Sequence, residues 1–235
     1  MKKQIISVIV LLISLGGFSQ TAEEFIKSGD YKSELKDYSG AILDYTKAIE
    51  IVPDNAKAYY RRGLLKDDLE DYRGAILDFT KVIEIDPKDA DAYYKRAKSK
   101  VAVGDIRGAI VDFTKVIGIW PDYAIAYYQR GFLKHELEDY RGAILDFTKF
   151  IELHPNDKNS YFKRGDSKLK VKDYSGAILD YTKAIQIDPN YSSAYYARGI
   201  LKISLKQKSS GCLDLSKAGE LGHSKAYDYI KEYCN

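Results

Sequence analysis

Proline occurs five times in this chain, at Pro53, Pro87, Pro121, Pro155 and Pro189, and every interval is 34 residues. Proline lacks an N–H and clashes with the turn before it, so it ends helices. A fixed proline interval therefore marks a helix end that recurs. Counting back from each proline divides the chain into 22–55, 56–89, 90–123, 124–157 and 158–191, with a sixth, degenerate copy at 192–225. The segment Asp37–Ile49 returns unchanged as Asp173–Ile185, and Glu70–Lys81 returns as Glu138–Lys149. Identity at this level indicates duplication of a unit.

Repetition settles the domain question. Stacked units touch only their neighbours, so one core runs through all of them and 235 residues need no second fold. Hydrophobic residues make up 45%, enough for a continuous buried seam, and the 30% that are charged are mixed in sign, as on a solvated surface. Formal net charge is +3, and removal of Lys2 and Lys3 with the first 20 residues leaves +1. Nucleic-acid binding needs a clustered basic excess, so that class is set aside.

Residues 1–20 read as a secretory signal peptide. Lys2 and Lys3 precede an uncharged apolar run, Ile5 to Leu15, and Gly16, Gly17 and Ser19 are small residues at the expected cut. The run is shorter than the ~20 residues that span a bilayer, though an uncleaved anchor is the competing reading. The mature chain is then expected in the periplasm or outside a bacterial cell, without a membrane span.

Each unit reads as two helices. Ala56 to Leu69 places Tyr59, Gly63 and Lys66 on one stripe, and Arg73 to Ile85 places Ala75, Phe79 and Val82 on another. Small residues recur at Gly29, Gly63, Ala97, Gly131, Gly165 and Gly199 on the first helix, and at Ala41, Ala75, Ala109, Ala143 and Ala177 on the second. Large ones recur at Tyr45, Phe79, Phe113, Phe147 and Tyr181. Small facing large is what dense packing of close helices needs. Over about residues 22–225 this pattern resembles the tetratricopeptide repeat (TPR) family. The resemblance implies an all-α, right-handed α-solenoid of about six two-helix units.

The chain departs from that family at Arg62, Arg96, Arg130, Arg164 and Arg198, where an apolar residue is usual. Lys66, Lys100, Lys134, Lys168 and Lys202 follow four residues later, and like charges at that spacing repel. Asp78, Asp112, Asp146 and Asp180 on the second helices lie at a constant offset, so an Arg–Asp ion pair is expected inside each unit. Repeat three is irregular, with Ala97, Gly104, Ile106 and Trp120, and Phe150 is oversized for its position.

The end of the chain loses the proline. Lys217 to Gly222, followed by Ala226, resembles the related Sel1-type repeat, with Gly222 as a helix C-terminal glycine. A helix over about 224–235 is expected to cap the last apolar face. The two cysteines, Cys212 and Cys234, both fall here, and export permits a disulfide between them, the alternative being two free thiols. His135, His154 and His223 are scattered, with no partner at metal-ligand spacing.

No phosphate loop, nucleophile elbow or His-Glu metal motif occurs, so no catalytic residue, cofactor or metal is assigned. The acidic residues recur with the unit, and structure explains them first. In the family the residue beside each core aromatic tends to face the concave groove. Here these are Tyr60, Tyr94, Tyr128, Phe162 and Tyr196, with Lys98 and Phe132 among the next groove positions. Tyrosine is common at interfaces, and a peptide or partner helix is the expected ligand. Packing between first helices is the competing role for these rings. Repeat domains that clamp a C-terminal carboxylate use Lys and Asn at paired positions. This chain pairs Tyr60 with Leu64 and Tyr94 with Lys98, so that clamp is missing. The sequence therefore reads as an exported, non-enzymatic scaffold, the alternatives being a carbohydrate-binding envelope protein or a structural spacer.

Overall fold

The structure is a computed structural model that describes residues 20–234. The leader expected over 1–20 lies, apart from Gln20, outside the described residues. Among the described residues there are thirteen α-helices and no strand. They fall into two compact units, divided after Gly104. The first contains α1 (Ala22–Glu34), α2 (Tyr38–Ile51), α3 (Ala56–Asp68), α4 (Tyr72–Ile85) and α5 (Ala90–Ala102). The second contains α6 (Ile106–Ile119), α7 (Ala124–Glu136), α8 (Tyr140–Leu153), α9 (Lys158–Lys170), α10 (Tyr174–Ile187), α11 (Ser192–Ser204), α12 (Lys208–Glu220) and α13 (Ala226–Tyr233). Within each unit, antiparallel pairs stack on their sequence neighbours, as in a solenoid.

Helix starts follow from side chains that satisfy free N–H groups. Asp37, Asp71, Asp105, Asp139 and Asp173 stand at the N-caps of α2, α4, α6, α8 and α10. Their carboxylates accept from the N–H groups of Gly40, Gly74, Gly108, Gly142 and Gly176. The second helix therefore begins at Tyr72, one residue before the expected Arg73. Thr21 and Glu24 form a capping box at α1.

The turn inside each pair explains one irregularity of repeat three. Lys36, Glu70, Glu138, Lys172 and Lys206 all adopt positive φ, between 62° and 65°. The corresponding residue of repeat three is Gly104, at φ 84°. Left-handed backbone brings the Cβ of an L-residue against a carbonyl, a strain glycine does not have. Replacing Glu138 by glycine is therefore expected to raise stability by about 1 kcal/mol, read as a higher urea midpoint. An unchanged or lower midpoint would show that the turn carries no such strain.

The core repeats as the sequence does. Ala75 and Phe79, Ala143 and Phe147, and Ala177 and Tyr181 are fully buried. Each such aromatic contributes about 2–3 kcal/mol by leaving water. It fits because the facing residue is glycine: a Cβ on Gly63 would lie 3.0 Å from the Phe79 ring.

Within the units the Arg–Asp pairs form at Arg62, Arg130, Arg164 and Arg198, and each is tied at both ends. Arg62 donates from Nε and Nη2 to the Asp78 carboxylate at 2.9 and 2.7 Å. Lys66 reaches the same carboxylate at 2.8 Å, which resolves the Arg–Lys repulsion. Nη1 of Arg62 donates to Thr46 of the preceding pair at 2.9 Å. Arg130, Arg164 and Arg198 repeat the arrangement with Asp146, Asp180 and Asp214. The arginine thus joins the halves of its own pair and staples that pair to the one before.

Candidate functional site

The first helices position the candidate groove. In the first unit, Tyr60 on α3 is half-buried, its ring centroid 5.8 Å from that of Phe79 in an edge-on contact. On α5, Tyr94 is half-buried and Lys98 is exposed. In the second unit, Tyr128 on α7 lies 5.7 Å from Phe147 and 5.1 Å from Phe150. Phe132, one turn on, carries Lys163 Nζ 5.4 Å above its ring. Phe162 on α9 packs between Tyr181 and Tyr191, at 5.6 and 5.3 Å. Tyr196 on α11 stacks on His223 at 3.9 Å. Tyr60, Tyr128 and Phe162 share a physical character: each packs against a buried aromatic of the second helix and stays only half-buried itself, whereas Tyr196 packs against His223 and Tyr229.

Phe150 shapes the second unit. The corresponding residues Ala48, Val82, Val116 and Ala184 are fully or almost fully buried. Phe150 is too large for that space; it is half-buried and lies between Tyr128 and His154. With Ile125, Asp157 and Asn159, the Tyr128 and Phe150 rings line an open cleft of about 270 Å³. Tyr191 donates its hydroxyl to Asn159 Oδ1 at 3.2 Å, which orients the amide nitrogen away from it.

Two carboxylates in the groove row, Asp30 and the groove position Asp166, have an acceptor role that was not assigned from the sequence. Tyr45 donates to Asp30 at 2.7 Å, and Tyr181 donates to Asp166 at 2.8 Å. A signal was present. The row Asp30, Leu64, Lys98, Phe132, Asp166 and Ile200 carries Asp only where the second-helix aromatic is Tyr instead of Phe. A buried hydroxyl needs an acceptor, so the two positions change together. Burial pushes the Asp166 carboxyl above the usual range, opposed by the Tyr181 bond and by Lys163. Burial and Asp166 push the Tyr181 hydroxyl far up, and burial followed by Asp166 pushes Tyr191 up to about 12.

First helices are also joined by polar contacts. Ser99 donates to Asp67 at 2.6 Å in the first unit. In the second, Ser167 donates to the Lys163 carbonyl at 2.9 Å, so it accepts from His135 Nδ1 at 2.8 Å. That assigns the Nδ1–H tautomer of His135. Burial lowers the pKa of this imidazole, with Asp166 pulling the other way.

Cys212 on α12 and Cys234, just past α13, are disulfide-bonded. Among the described residues no group of three or more His, Cys, Asp or Glu is arranged to hold a metal ion, and no helix is long and apolar enough to cross a membrane.

A family model described as TPR repeat matches residues 29–66 and 169–202. Two described as tetratricopeptide repeat match 56–89 and 124–157. Comparison with curated proteins found no match. Several solved structures share the fold. The crystal structure of YrrB, described as a TPR protein with an unusual peptide-binding site, aligns with TM-score 0.71 at 23% identity, covering 80% of this chain and 97% of YrrB. The C-terminal part of a TPR repeat-containing protein from Cytophaga hutchinsonii aligns with TM-score 0.75 at 17% identity, covering 89% of this chain and 87% of that one. MamA aligns with TM-score 0.67 at 23% identity, covering 73% and 94%.

Proposed function

Because this chain belongs to the tetratricopeptide repeat family, we propose that it is a non-enzymatic interaction scaffold that holds an extended peptide or a partner helix against its first helices. The observation that carries this reading is the half-buried aromatic at the same place on successive first helices. Such rings are anchored on one side and still offer an apolar edge and, at the tyrosines, a hydroxyl, the chemistry enriched at binding surfaces. Tyr60 and Tyr94 supply it in the first unit, beside the exposed Lys98, and Tyr128, Phe132 and Phe162 in the second, where Tyr196 continues the row beneath His223 and Tyr229. The Tyr128–Phe150 cleft gives a peptide side chain a place to insert, with Asn159 beside it as a donor. YrrB, of like fold, is described as having a peptide-binding site.

Export is part of the proposal. Lys2, Lys3 and the apolar run that follows support a leader over 1–20, and a disulfide suits an oxidising compartment. The mature protein would work in the periplasm or outside the cell, as six repeats from residue 22 closed by the last helix.

The test is selection of binders from a displayed peptide library on the full mature chain, followed by calorimetric titration of a selected peptide. Phe162→Ala, with folding checked by circular dichroism, is expected to weaken binding at least about tenfold, equivalent to about 1.4 kcal/mol. Leu145→Ser, on a second helix and 71% exposed, should leave it unchanged. Equal binding by native chain and Phe162→Ala would move the site off the first helices. Failure to select any peptide, with capture of an oligosaccharide, would favour the sugar-binding reading, because tyrosine rings also stack on sugars.

A further inference from the structure

The last helix is in phase with the repeat. First helices begin at Ala22, Ala56, Ala90, Ala124, Lys158 and Ser192, and α13 begins at Ala226, one more period on. Tyr229 stands where the pairs carry Tyr59, Tyr93, Tyr127, Tyr161 and Tyr195. So α13 is a first helix, yet among the described residues no second helix pairs with it. Its own sequence closes that face: Tyr233 occupies the position of Gly63, Gly131, Gly165 and Gly199 and stacks on Tyr229 at 4.6 Å. A second helix could not approach as closely there as it does over glycine.

What remains is contact with the pair before. Ala226 is buried, the Tyr227 ring lies over Gly219 of α12, and Tyr229 and His223 cover Tyr196. The other side chains of α13 are half-buried or exposed. Eight residues are too few for a helix to hold by itself in water. No side chain caps its start, and His223 Nδ1 is buried without a hydrogen-bond partner among the described residues. Against this thin packing stands one covalent tie, from Cys234 at the end of α13 back to Cys212, 22 residues earlier. Closing a loop of that length favours the docked helix by on the order of 100-fold.

We propose that the Cys212–Cys234 bond is a redox latch on the C-terminal end. While it is closed, α13 stays docked and Tyr196 is covered. A dithiol reductant opens it by thiol–disulfide exchange. One thiolate attacks a sulfur of the bond to give a mixed disulfide, and the second thiol displaces the protein. The dithiol leaves as its disulfide, and its two protons end on Cys212 and Cys234. Both cysteines are half-buried, so a small dithiol reaches them. Helix α13 then leaves, uncovering Tyr196 and the face of α12 around Gly219, while the pairs before it stay folded. Only the description of Tyr196 as a binding position rests on the groove reading; the latch itself does not.

Hydrogen exchange of the full chain, with and without dithiothreitol, tests this. Amides of 226–233 are expected to lose protection by at least about tenfold on reduction, with those of α11 and α12 within about twofold. The Cys212→Ser, Cys234→Ser double variant should exchange as the reduced chain does and ignore the reductant. Unchanged protection of 226–233 in either case would mean that packing alone holds the helix, and the latch would be wrong. Loss of protection spread over all of 192–220 would also overturn it, because the bond would then be a general support of the sixth pair. Closure of Tyr196 has its own readout: the His223 ring protons should move from ring-current-shifted to ordinary positions in NMR spectra on reduction. Shifts that stay where they are would refute the uncovering.

Discussion

Asp146→Ala is expected to destabilise the α7–α8 pair by about 3 kcal/mol. Asp146 is 3% exposed and receives Arg130 at 2.6 and 2.9 Å and Lys134 at 2.9 Å. Without the carboxylate, two cations with largely buried side chains face each other one helical turn apart. Removing one partner of a buried pair costs more than the pair contributes, because the other charge stays desolvated. Some water still reaches Lys134, which keeps the figure at the lower end of the range. The same argument predicts that Arg130→Met, Lys134→Leu and Asp146→Leu together fall within about 1 kcal/mol of the native chain. Native-state hydrogen exchange of α7 and α8 amides is the suitable measurement, since stacked pairs open locally. A loss under 1 kcal/mol for Asp146→Ala would show that solvent already compensates the cluster.

Gly211→Ala is expected to cost about 2 kcal/mol, although the sequence pattern recommends it. The corresponding residues of the other pairs are Ala41, Ala75, Ala109, Ala143 and Ala177, all fully buried. In the sixth pair, however, α11 and α12 cross glycine on glycine. A Cβ on Gly211 would lie 2.7 Å from the Gly199 carbonyl oxygen and 2.6 Å from Ile203 Cγ1. Backbone cannot swing aside as a side-chain tip can, so the helices must separate. Overpacking of this kind costs about 3 kcal/mol at the upper end, and the better helix propensity of alanine returns about 1. Gly118→Ala in α6 is the control, since nothing lies within 4 Å of its Cβ position and the residue is exposed. It should stabilise by about 0.5–1 kcal/mol. Urea midpoints separate the two, and a Gly211→Ala chain as stable as the native one would mean that α11 and α12 have room to spare.

Much of the molecule follows from short-range chemistry that a 34-residue period exposes in the sequence. The prolines mark the ends, each Asp before a second helix caps it, and Gly63 facing Phe79 sets how closely two helices approach. Arg62 could be assigned to Asp78 because two buried charges at a constant offset need each other. These are local rules, applied identically in each unit, and repetition makes them legible.

Tertiary structure decided whatever depends on how far a particular side chain reaches. That Phe150 lies half-exposed beside Tyr128 follows from the space that Val82 and Val116 fill completely, which no pattern of residue types measures. Gly211 looks interchangeable with alanine until the distance to the Gly199 carbonyl is known. The hydroxyls of Tyr45 and Tyr181 select Asp30 and Asp166 across a helix pair, and the protonated nitrogen of His135 is set by Ser167 on the next first helix. The phase of α13 could be counted from Ser192, but its dependence on Cys212 follows from what it fails to touch. Sequence by itself determined the helices and their order, because those rest on backbone hydrogen bonds and turn geometry within a few residues. Only the folded chain determined which groove rings are open and which are covered, because that depends on volume and distance between residues far apart in the chain.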